Sequence, residues 1–133
     1  MSKAYIGVKN GRLSECPSSP NCVSTQTDQE EKKMKPLPFS KDLETTKSLI
    51  KEVLNERPRT TVETENENYI HAVVESKWMK FKDDVEFYLD QEEEVVHFRS
   101  ASRVGHSDFG VNKKRMKDFS EHYESMRRES HDV

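Results

Sequence analysis

No run of apolar residues in this chain approaches the ~18 needed to cross a bilayer as a helix, so no membrane-spanning helix is expected. The first residues also lack the apolar stretch of a secretion signal, and a cytoplasmic protein is the expectation. Cysteine is scarce. Cys16 and Cys22 are the only two, too few by themselves for a disulfide scaffold or a zinc site. Hydrophobic residues make up 32% of the chain, against roughly 45–50% in ordinary globular domains. That deficit falls mainly on residues 24–35 and 127–133, so the remainder can still build a core. An excess of charge of either sign is missing too, although 35% of residues are charged, since the net charge is only −3. This argues against a broad basic field for nucleic acid and against an acidic surface for cationic partners. Basic runs are local: Lys113-Lys114-Arg115, and Lys77 with Lys80 and Lys82. The 133 residues suffice for one domain but not for two ordinary ones.

What is present reads in chain order. Residues 1–23 are dense in turn formers, from Gly7 and Gly11 to Pro17, Pro20 and Asn21, and suggest an ordered N-terminal segment. Residues 24–36 read as a polar linker, and Pro36 and Pro38 forbid a helix before Ser40. A helix is expected from Ser40 to Glu56, with Leu43, Ile50 and Leu54 on one stripe. Four strands follow at Thr60–Thr64, Tyr69–Lys77, Val85–Asp90 and Val95–Ser102, joined by short turns. Alternation puts Ile70, Ala72 and Val74, then Val85, Phe87 and Leu89, then Val96 and Phe98, toward a core. A last helix, about Asn112–Arg127, carries Met116, Phe119, Tyr123 and Met126 on one face. The expected fold is a two-layer α+β domain: a four-stranded antiparallel sheet, two helices on one face, and an irregular N-terminal segment before it. The core spans 37–128, with 129–133 a flexible tail.

Register sharpens the reading. If Phe87 and Phe98 both point to the core, Asp83 lies opposite Ser100 or Ser102, and Asp84 approaches Arg99 or Ala101 on the other face. The open end of this hairpin then gathers Asp83, Asp84, Arg99, Ser100, Ser102 and Arg103. A glycine-containing bend leads on to Asp108, Asn112, Lys114 and Arg115 at the start of the last helix. Cations in a first helical turn oppose the helix dipole, an arrangement that a bound anion reverses. Two readings stand: internal pairing of the arginines with the aspartates, or a small-anion site over residues 99–115.

Several of these residues carry a resemblance. Gly7-Val8-Lys9-Asn10-Gly11-Arg12-Leu13 with Cys16-Pro17-Ser18-Ser19-Pro20-Asn21-Cys22-Val23-Ser24 resembles the opening signature of the domain-of-unknown-function 1499 family. Asp83-Asp84-Val85-Glu86-Phe87 is similar to its central signature. Arg99-Ser100-Ala101-Ser102-Arg103-Val104-Gly105, continuing through Asp108, Gly110, Asn112 and Arg115, is similar to its third. The resemblance covers nearly the whole domain but implies no activity, substrate or cofactor. Many relatives follow a secretion signal or membrane segment, which this sequence lacks. His106 stands where relatives often have tyrosine, so the resemblance does not imply a catalytic base there.

Chemistry-bearing constellations are thin. Cys16 and Cys22 are compatible with free thiols, a disulfide or redox pair, or a metal-binding or nucleophilic role; a reducing cytoplasm favours free thiols. The five histidines are scattered, with His71 and His97 on strands, and no metal site is expected. A hydrolase can be drawn from Ser102 or Cys22 with His106 and Asp108, but no nucleophile elbow accompanies them. Trp78 and Phe81, set among lysines, are expected to cap one end of the core, so no strong membrane or nucleic-acid signal is read there. The function expected is a binding or accessory module taking a small anion or an anionic group of a partner, with a hydrolase as the alternative and the cofactor unknown.

Overall fold

The computed structural model describes residues 6–103 and 110–131. Eight strands and two helices follow in the order β1 (Val8–Lys9), β2 (Arg12–Leu13), β3 (Cys22–Ser24), β4 (Leu37–Pro38), α1 (Leu43–Asn55), β5 (Thr60–Asn66), β6 (Tyr69–Glu75), β7 (Lys82–Asp90), β8 (Val95–Ser102) and α2 (Val111–His131). β5 to β8 form the expected antiparallel meander. β8 occupies the residues read from the sequence, and Phe87 pairs directly with Phe98.

The sheet has six strands rather than four. β3 and β4 both pair antiparallel with the outer edge of β8, Val23 opposite Ser100 and Leu37 opposite Val96. At three and two residues they are too short to show alternation, and Pro38 sits where a strand edge tolerates it. β1 and β2 make a separate small hairpin.

Between β3 and β4 the stretch expected as a linker is packed. Thr25, Thr27 and Lys32 are buried, and residues Glu30–Lys32 form a single 3-10 turn. Thr25 bonds the backbone of Phe98 in both directions, Gln29 donates to the Cys16 carbonyl at 2.8 Å, and Lys32 donates to that of Pro17. These polar side chains are buried by hydrogen bonding rather than by hydrophobicity.

α1 is capped by Asp42, whose side chain accepts from the Thr45 amide at 2.8 Å; Ser40, where the helix was expected to begin, lies two residues earlier. α2 extends past Arg127 to His131, over part of the stretch expected as a tail. Leu49, Ile50, Val53 and Leu54 of α1 and Met116, Phe119 and Tyr123 of α2 pack in one core with Ile70, Ala72, Val85, Phe87, Leu89, Val96 and Phe98. Those strand residues all alternate onto one face. The other face is of a different kind.

Candidate functional site

Two-residue periodicity divides the polar groups expected to converge. Even-numbered residues at the end of β8 share the helix face. There Ser100 donates to Asn112 Oδ1 at 2.6 Å, and Arg115 donates to both Ser100 Oγ and Asn112 Oδ1. Arg115 also pairs with Asp83 at 2.7 Å. Asn112 donates to Ser102 Oγ and to the Asn21 carbonyl, so α2 is stitched to β8 and β3 at its first turn.

Arg99, Arg103 and Asp84 lie on the opposite face. Arg103 grips Asp84 with Nε and Nη2, each at 3.0 Å, a two-toothed contact that fixes both groups. His71 Nε2 reaches Asp84 at 2.7 Å. Beside them Glu86, 0% exposed, pairs with Arg99, 3% exposed, at 3.4 Å. Glu86 also accepts from the Tyr69 hydroxyl and the Gly7 amide, both at 2.7 Å. Leu13, Cys16 and Cys22 are buried as well, and Gly7 and Glu15 bond to Glu86 and Arg99, so the N-terminal segment covers a floor of ionic groups. The sheet therefore separates two polar clusters where the sequence suggested one. Lys114 is exposed and pairs with Asp118, and Asp108 and His106 lie outside the described residues.

Electrostatics follow burial. Desolvation pushes the Glu86 carboxyl up despite the bonds it accepts and the guanidinium beside it. Burial also works to raise Asp84, but His71 and Arg103 outweigh it and hold that carboxyl below its ordinary value of 3.8. A depressed carboxylate contributes stability that is complete above its unfolded value and is lost as pH falls through the folded one. Asp84→Asn is thus expected to flatten the decline of unfolding free energy on acidification from about pH 5 to pH 2, measured by denaturant melts at each pH. An unchanged acid slope contradicts this assignment.

Cys16 and Cys22 form a disulfide, with Cα atoms 5.7 Å apart, in place of the free thiols favoured for a reducing setting. The bond removes Cys22 as a hydrolytic nucleophile, and the Ser102 hydroxyl is engaged by Asn112. Among the described residues no group of His, Cys, Asp and Glu is placed to hold a metal ion, and no helix is long and apolar enough to cross a membrane.

A third arrangement gave little sequence signal. Where α1 ends and α2 begins, a cleft of about 240 Å³ opens between them. Its floor includes Leu54, Val74, Val85 and Phe119, and its rim carries Arg57, Arg59, Lys114 and Arg115 against one acid, Asp118. Arg57 and Arg59 follow Glu56 in what reads only as a helix terminus, so their approach to Lys114 depends on the tertiary packing of α1 on α2.

A family model described as protein of unknown function (DUF1499) matches residues 12–122. The chain belongs to the domain-of-unknown-function 1499 family. Comparisons with curated proteins and with solved structures return no match. In this DUF1499 domain the match runs from β2 to about the middle of α2 and takes in the whole six-stranded sheet, the cleft and, apart from Gly7, the residues of both polar clusters. The family description assigns no activity.

Proposed function

We propose that this DUF1499 domain is a binding or accessory module that receives an anionic group at the entrance to α2. The observation that carries the reading is the cleft: apolar walls under a rim of four cations and one acid. The first turn of α2 contains no acidic residue, although Lys113, Lys114 and Arg115 stand there against the helix dipole. Arg57 and Arg59 of the rim make no ion pair among the described residues, whereas Arg99, Arg103 and Arg115 are committed to carboxylates. An anion entering the cleft would therefore meet Arg57, Arg59 and Lys114 first. The Cys16–Cys22 disulfide supports an oxidising setting over the cytoplasmic one expected from the sequence.

Titration with inorganic phosphate, followed by backbone amide shifts, tests the site. Saturable shifts are expected at residues 57–60 and 111–115, weakened by Arg57→Ala and by Lys114→Ala. No response up to millimolar phosphate rules the reading out.

A further inference from the structure

The turn joining β6 to β7 departs furthest from its expectation. Trp78 is 82% exposed and Met79 67% exposed, so Trp78 does not cap the core. The two sit side by side on a projecting hairpin tip closed at its base by a bond from the Ser76 amide to the Phe81 carbonyl at 2.8 Å. Two large apolar side chains exposed at consecutive positions of one tip are unlike the scattered exposed hydrophobics of an ordinary surface.

Charge around the tip has one sign. Lys77, Lys80 and Lys82 belong to the same stretch, and the Lys77 ammonium lies 5.1 Å from the centre of the Trp78 ring. None of the three lysines is ion-paired among the described residues, while the nearby Asp83 and Asp84 are neutralised by Arg115 and Arg103. Glu75 remains as the acid of this stretch. Register places the tip at the same end of the sheet as Thr60 and Ser102, and hence near Arg57 and Arg59. The β7–β8 turn at the far end carries Asp90, Glu92, Glu93 and Glu94. A net charge of −3 thus conceals a polarised molecule, basic at the hairpin tip and acidic at the opposite end.

We propose that the Trp78–Met79 tip, with Lys77, Lys80 and Lys82, docks the domain onto an anionic lipid surface. Tryptophan settles at the boundary between headgroups and acyl chains, and lysines reach from there to phosphates along their own apolar stems. Methionine adds a flexible apolar anchor. A single exposed ring on a narrow tip suits insertion between lipids better than binding a nucleic-acid strand, which needs successive stacking platforms along a groove. The tip is independent of the cleft, and failure of either proposal leaves the other standing.

Trp78 is the sole tryptophan, so the intact protein's emission reports the tip alone. With vesicles of phosphatidylcholine mixed with phosphatidylserine, a saturable blue shift and co-sedimentation are expected, both reversed by high salt. Pure phosphatidylcholine vesicles are expected to give neither. Lys77→Gln/Lys80→Gln should weaken binding by roughly 25-fold, about fivefold per lysine, with thermal unfolding unchanged. Trp78→Ala/Met79→Ser should abolish co-sedimentation. Absence of both signals with the anionic vesicles overturns the proposal, as does equal binding to the two vesicle types. A response to oligothymidylate without one to vesicles also overturns it, in favour of a nucleic-acid partner.

Discussion

Arg99→Ala is expected to lower the unfolding free energy by about 3–5 kcal/mol, because it strands the buried Glu86 charge without its cation. Glu86 and Arg99 both lie under the N-terminal segment, out of reach of water. Tyr69 and Gly7 would still donate to the carboxylate, but hydrogen bonds alone replace only part of a missing countercharge. Glu86 can also escape by taking up a proton, and burial already drives it that way. The loss should therefore be greatest at neutral to alkaline pH and shrink on acidification. Denaturant melts of wild type and variant across that range measure it. A second substitution gives the sharper result: Arg99→Met/Glu86→Leu should recover most of the loss, since two apolar residues remove the desolvation cost of both charges. A loss under about 1 kcal/mol for Arg99→Ala at neutral pH would show that the pair is not buried as described. Arg99 Nε is buried without a hydrogen-bond partner among the described residues, so the native arrangement already carries some cost, and the apolar pair should not inherit it.

Removal of the Cys16–Cys22 disulfide is the second large effect. Cross-linking residues six apart in sequence restricts the unfolded chain by about 2 kcal/mol on the chain-entropy account. The bond also fastens the N-terminal segment to β3, whose Cys22 pairs with Ala101 on β8. Cys16, Cys22 and Ala101 share a small buried cluster of their own. The Cys16→Ser/Cys22→Ser variant should lose stability by roughly 2–4 kcal/mol, and a reductant should destabilise the wild type by a similar amount while leaving the variant unaffected. A thiol assay on denatured, unreduced protein should find no free cysteine. Two titratable thiols in protein never exposed to reductant would contradict the bond.

These two effects lie where the sequence was hardest to read. The meander and its core were legible because long strands with alternating Val, Phe and Leu have few other solutions, and the inward direction of Phe87 and Phe98 followed from that pattern. The pattern left Asp83 opposite Ser100 or Ser102, and the structure pairs it with Ser102. Arg99 and Ser100, however, are neighbours in sequence and were gathered into one corner, although the same alternation sends them to opposite faces. Glu86 escaped notice because an acidic residue between Val85 and Phe87 reads as the solvated side of a half-buried strand. Only the covering segment, docked from nearly 80 residues away, turns that side into an interior. Thr25, Thr27 and Lys32 read as linker for a related reason, since composition registers polarity but not the carbonyls and hydroxyls that will meet it. The cleft and the hairpin tip depend on which elements come to rest beside one another, and no local pattern announces that.

The long span between the cover and its floor also bears on how the protein matures. The amide of Gly7 meets Glu86 across 79 positions, and Arg99 reaches the Glu15 carbonyl across 84. During synthesis this covering segment emerges well before β8, which supplies part of its seat. Its own small ring, Cys16 to Cys22, and the β1–β2 hairpin can close early, because both ends of each are already present. The rest must wait for the meander to assemble, so a stretch made well before the strands is the last to find its berth.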